Sequence, residues 1–177
     1  MATLVKTRTA LIRRRQHAFT LIEILIVVII IGILAAIVVP KMTGAAQDAR
    51  ETTLHDQAQF MRTQVALYKS QHLDIAPGYA AGATTATASD LLNQLTMYTD
   101  AAGNTSSTST GQFVYGPYLP KLPTNPMSNL STVLIVGTGS SMPAADGTTG
   151  WVYKPDTLEF APNNTGSDAQ GNAYSSY

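Results

Sequence analysis

Glu23 is the one charged residue in the run from Leu21 to Val39, LIEILIVVIIIGILAAIVV. A charge at the centre of a membrane helix costs about 2.5–3.5 kcal/mol on insertion scales, and less near an end, so this carboxylate needs a partner. The other residues able to do chemistry form no constellation. His55 and His72 lie 17 positions apart, which is not a ligand pair at helical spacing, and His17 stands alone before the apolar run. There is no cysteine, so thiolate metal sites, disulfides and cysteine nucleophiles are excluded. The GTGSS stretch at 137–141 lacks the lysine of a phosphate loop and reads as a strand-to-turn exit, and no G-x-S-x-G elbow occurs. The sequence is therefore read as that of a non-enzyme.

The element that carries Glu23 has the length of a membrane span. Nineteen residues at ~1.5 Å each cover ~28 Å, about one hydrocarbon core. Arg13, Arg14 and Arg15 precede it directly, and the positive-inside preference keeps that end in the cytoplasm and sends the C-terminal part across. Five basic residues and no acidic one precede Phe19, whereas from Phe19 onward six basic residues face eleven acidic ones, a net charge of −5. That balance argues against general nucleic-acid binding through phosphate neutralisation.

The order of pieces, a basic leader, then Ala18-Phe19-Thr20-Leu21-Ile22-Glu23, then the apolar run, resembles the amino terminus of type IV pilins and type II secretion pseudopilins. The resemblance implies that a prepilin peptidase cuts between Ala18 and Phe19, that the new amine of Phe19 is N-methylated, and that Glu23 serves assembly. The family usually has glycine before the cut, where this chain has Ala18. After such a cut the nearest cation to Glu23 within the chain is the amine of Phe19, largely protonated at neutral pH with an ordinary pKa of ~7.7–8.0 and one helical turn away. In a stack of helices the amine of an incoming subunit can pair with Glu23 of a neighbour, and the resemblance implies this registering role. Proline removes a helical hydrogen bond and disturbs the preceding turn, so a kink is expected around Gly32 and Pro40.

Past Pro40 the helical period continues with polar residues added. Leu54, Ala58, Met61, Val65 and Tyr68 fall on one stripe that should pack on a sheet. Phe60 and Leu67 point away from it as a second seam, either toward neighbouring subunits or beneath an adjoining loop. Residues 76–89 read as a loop, 90–98 as a short helix capped by Ser89 with Leu91, Leu92 and Leu95 buried, and 99–111 as a mobile surface loop. Strands are expected at 131–139, 150–154 and 157–161, the first of them central. The fold class is α+β, a long N-terminal transmembrane and amphipathic helix packed on a small C-terminal antiparallel sheet. The parts are a leader (1–18), a membrane and polymerisation half-helix (19–40), an amphipathic half-helix (41–73) and a globular region with a flexible tail (74–177).

The segment GPYLPKLPTNP, residues 116–126, looks like that of major pseudopilins of the type II secretion system. The resemblance implies a helical homopolymer that drives protein export. The implied partners are a prepilin peptidase, an inner-membrane assembly platform and minor pseudopilins. It further implies a single-pass inner-membrane protein, its N-terminus cytoplasmic and its C-terminal domain periplasmic, with the filament in the periplasm or at the cell surface. A surface type IV pilus serving adhesion, motility or DNA uptake, and a membrane-tethered binding module, are the alternatives. Major pseudopilins often bind calcium in a C-terminal loop, for which Asp146, Asp156, Asn163 and Asp168 are the candidates here. Calcium takes six to eight oxygens, usually several from carboxylates, and the tail 162–177 has one carboxylate. The same residues also read as turn formers.

Overall fold

The structure, a computed structural model, describes residues 19–177, without the side chains of residues 40–43. The first eighteen residues, including Ala18 and the expected leader, lie outside it. Two compact units are present, one reaching to Gly44 and the other spanning Ala45–Tyr177.

A single helix assignment, α1 (Leu21–Gln71), supplies the first unit's described backbone and the first element of the second. Gly32 and Pro40 both fall within it. In the first unit every apolar side chain from Leu21 to Val39 is exposed, about half or more of its surface in each case. An apolar surface on all sides of a helix has no solvent face, and this helix is long and apolar enough to cross a membrane.

In the second unit the stripe behaves as its period predicts. Leu54, Ala58, Met61, Val65 and Tyr68 are all buried and join Leu91, Leu95, Leu119, Trp151, Tyr153 and Phe160 in one core. Burying a side chain of this size contributes about 1.5–3 kcal/mol, so the stripe fixes α1 against the rest of this unit. Helix α2 (Ala88–Thr96) is capped by Thr87, not Ser89: the Thr87 hydroxyl oxygen accepts the Asp90 N–H at 3.1 Å while its own hydrogen goes to the Asp90 carboxylate at 2.6 Å. Leu91 and Leu95 are buried as expected, but Leu92 is exposed, and the polar Gln94 takes an inner position. It can do so because its amide is satisfied, donating to the carbonyls of Tyr79 and Gly103 and accepting the N–H of Gly78.

Strands β1 (Tyr98–Thr99) and β2 (Thr105–Ser106) pair antiparallel, and β3 (Val133–Ile135), β4 (Trp151–Lys154) and β5 (Glu159–Pro162) form a second sheet in the order β3-β4-β5. The strand covered on both faces is β4, so the expectation that the 131–139 strand is central is corrected. β4 pairs with β5 antiparallel across the Pro155-Asp156 turn, whereas β3 pairs with β4 parallel, Leu134 opposite Val152. The physical reason is the connection: residues 136–150 are long enough to carry the chain back to the same end of the sheet, which a tight turn cannot do.

The segment expected to be a mobile loop after Thr99 is ordered in its first half. Asp100 is buried and accepts the N–H groups of Ala102 (3.0 Å) and Asn104 (2.9 Å), the Asn104 amide (2.8 Å) and the Gln112 amide (3.1 Å). Those charge-assisted bonds hold its carboxyl below the usual range despite burial. The proline-rich 116–126 segment is tied by the Trp151 indole N–H to the Pro123 carbonyl at 2.9 Å and by buried Asn125, whose amide donates to the Gly150 carbonyl at 2.7 Å.

Candidate functional site

At the start of α1 the Glu23 carboxylate folds back on Thr20. One of its oxygens, Oε2, accepts the Thr20 backbone N–H at 2.7 Å and the Thr20 hydroxyl at 2.8 Å, and the Thr20 Oγ1 accepts the Glu23 N–H at 3.2 Å. The two residues form a reciprocal capping box, which satisfies backbone donors that a helix start leaves orphaned. The signal is present in the sequence as T-x-x-E ahead of an apolar run, where the charge of Glu23 overshadows it. Among the described residues the partner of Glu23 is therefore a neighbouring threonine. Phe19 lies just before the cap, outside the helix, with 81% of its surface exposed.

Phe60 and Leu67 stand on the outside of α1, 48% and 43% exposed, and so do not fold beneath a loop. Just past the end of that helix His72 is buried. Its Nδ1–H donates to the Tyr68 carbonyl at 2.7 Å, and Nε2 is hydrogen-bonded to the Thr99 hydroxyl at 2.9 Å. Burial is the main cause that holds its pKa below the ordinary value, which favours the neutral ring.

The four calcium candidates fall into separate arrangements. Asp146 and Asn163 meet: Asp146 Oδ1 accepts the Asn163 amide at 2.7 Å and the N–H and hydroxyl of Thr148 at 3.0 and 2.8 Å, bonds that lower its pKa. Asp156 sits in the β4–β5 turn and accepts the Gly139 N–H at 2.8 Å, which closes the turn after β3. Asp168 serves the C-terminal tail, with Asn172 and Tyr177 as its partners. No group of three or more His, Cys, Asp or Glu side chains placed to hold a metal occurs among the described residues.

The N-terminal geometry has known counterparts. Residues 13–39 match the family described as the prokaryotic N-terminal methylation motif. The amino-terminal third is type IV pilin-like. The chain is 42% identical over 57 residues to the type II secretion system core protein G of Pseudomonas aeruginosa, a match that covers 32% of this chain and 40% of that protein. It is 38% identical over 56 residues to the protein of the same name from Dickeya chrysanthemi, covering 32% and 37%. The corresponding protein of Aeromonas hydrophila is 35% identical over 57 residues. The chain thus matches about 40% of the length of these curated relatives. No solved structure matches it. Its long apolar helix and packed mixed sheet are those of an α+β pilin-like fold, and the motif together with that helix marks a membrane-anchored protein.

Proposed function

We propose that this chain is the major pseudopilin of a type II protein secretion system, a non-enzymatic subunit that polymerises through its N-terminal helix to drive export. The observation that carries the reading is the first unit: a helix exposed and apolar on every side, with its single carboxylate beside the expected cleavage point. Such a helix is stable in lipid, and among copies of itself it buries the same surface again. Cutting between Ala18 and Phe19 by a prepilin peptidase leaves an amine, N-methylated in this reading, one turn from Glu23. An incoming subunit's amine competes with Thr20 for that carboxylate and so sets its register along the filament.

Further features support the same reading. Phe60 and Leu67 offer an apolar seam to a neighbouring copy. Gly32 meets nothing within 4 Å where a Cβ would stand, so its missing side chain is not needed for packing in its own chain. With Pro40 it gives the helix two weak points at which order can be lost during assembly. In this reading the N-terminus is cytoplasmic, the second unit is periplasmic, and the partners are further copies, minor pseudopilins and an inner-membrane assembly platform.

The test is mass spectrometry of the protein purified from its host membrane, joined to crosslinking at Phe60. A methylated Phe19 terminus with Phe60-dependent oligomers is expected, together with an export defect on deletion of the gene. A chain that retains Met1, or that stays monomeric while export proceeds, overturns the reading.

A further inference from the structure

Calcium is the ligand that the pseudopilin resemblance implies for the C-terminal loop, and the donor set of this chain does not fit it. An ionised carboxylate offers about four lone-pair sites. At Asp168 all four are engaged: Oδ1 accepts the N–H groups of Gln170 (2.9 Å) and Asn172 (2.8 Å), and Oδ2 accepts the Asn172 amide (2.9 Å) and the Tyr177 hydroxyl (2.9 Å). A calcium ion needs six to eight oxygens with free lone pairs, and each bond it made here would displace one of these donors. The other candidates do not join it: Asp146 and Asn163 bond each other, with Thr148 and Thr149 beside them, Asp156 closes a different turn, and no three carboxylate or imidazole side chains converge among the described residues.

We propose that Asp168 is an anionic hub that holds the C-terminal tail on the body of the protein, so that the tail closes without a divalent cation. The loop that it organises is tight. The Asp168 N–H bonds to the Asn172 carbonyl at 2.9 Å, the Gly171 N–H returns to the Asp168 carbonyl at 3.1 Å, and Ser167 bridges Ala173. From this loop two tyrosines reach α1. Tyr177, held by Asp168, sets its ring edge-on to His55 at 5.6 Å and to Tyr174 at 5.8 Å, and its backbone carbonyl accepts from Arg62. Tyr174 donates to Glu51 at 2.8 Å and accepts the Gln47 amide at 3.2 Å. Arg62 also donates to the Phe160 carbonyl at 2.9 Å, which ties the tail to β5. The hub therefore stands at the root of a chain of contacts that runs to Gln47, Glu51, His55 and Arg62 on α1 and, through Arg62, to β5. Both phenols remain protonated across the physiological range, that of Tyr177 pushed up to about 12, so the donors are permanent.

The inference does not depend on the assembly reading, and its test uses the full chain in detergent micelles. Thermal midpoints are measured with calcium chloride and with a chelator, and chymotrypsin cleavage after Tyr174 is timed for wild type, Asp168→Asn and Tyr177→Phe. The expected result is one midpoint in both solutions, with cleavage of Asp168→Asn faster by about tenfold and of Tyr177→Phe by a smaller factor, since charge-assisted bonds are the stronger ones. A midpoint raised by calcium in wild type but not in Asp168→Asn overturns the proposal in favour of a cation site. Cleavage of Asp168→Asn at the wild-type rate overturns it in favour of a tail held by its tyrosines alone. If Asp168→Asn does not fold, Tyr177→Phe decides: faster cleavage supports the hub and an unchanged rate refutes it.

Discussion

The ring of His72 lies flat on that of Tyr68, centroids 3.7 Å apart and planes within 1° of parallel, and its two nitrogens reach Tyr68 and Thr99. Tyr115 and Tyr118 close the remaining sides, so the ring that joins the end of α1 to β1 is surrounded by aromatic carbon. Asp100 is the charged neighbour, and its attraction for a protonated ring is smaller than the effect of burial.

A pH dependence follows from that stack. Because the native pKa of His72 is depressed below 6.5, the unfolded chain binds the proton first. Stability is full above pH 6.5 and is lost as the pH falls through that value toward the depressed native one. Urea midpoints at about pH 7.5 and about pH 5.5 should differ in wild type, and the difference should shrink in His72→Gln, which itself is less stable at both. Equal differences in the two proteins would remove His72 from the account.

The capping box separates two roles of Glu23. Glutamine can fill the same N3 position, so Glu23→Gln keeps the cap and removes the charge. Membrane insertion should be unchanged in Glu23→Gln and Glu23→Ala alike, and filaments should be lost in both. Thr20→Ala should speed amide exchange in the first turn by roughly fivefold, the effect of a lost N-cap. Filaments of normal length from Glu23→Gln, seen by electron microscopy, would show that hydrogen bonding alone suffices.

Phe60 and Leu67 are half-exposed and should tolerate charge. Phe60→Asp with Leu67→Lys should leave the folded stability within about 0.5 kcal/mol per site, as for ordinary surface changes. Crosslinking between copies should nevertheless fall to background. A molten variant by near-ultraviolet circular dichroism would mean that the two side chains pack within their own subunit.

Met61 marks the opposite face. It is completely buried in the core that holds Trp151 and Phe160, so Met61→Ala should cost about 2–5 kcal/mol in urea unfolding. A loss below about 1 kcal/mol would indicate that the site collapses to fill the gap.

The parts of the fold legible in the sequence are those written as a period. Leu54 to Tyr68 announced both a helix and its inner face, and the apolar run announced a membrane segment. Strand direction is not written that way: Val133 to Ile135 has the same side-chain pattern whether it runs with or against β4, and only the length of the 136–150 connection bears on it. Residues 99–104 misled for another reason. Their order comes from one carboxylate, Asp100, gathering backbone N–H groups, and composition counts such a residue as a reason for disorder. Of the candidate site, Glu23 stands out through its charge, while its reciprocal bonds to Thr20 are written only as a spacing of three.

The core pairs the earliest part of the second unit with nearly the latest. About ninety residues separate Met61 from Trp151, and Phe160 comes later still. At about 5–20 residues per second a growing chain displays its bare α1 stripe for roughly 5–20 seconds before the covering strands exist. Until the β4–β5 hairpin arrives, that ridge has no sheet to cover it.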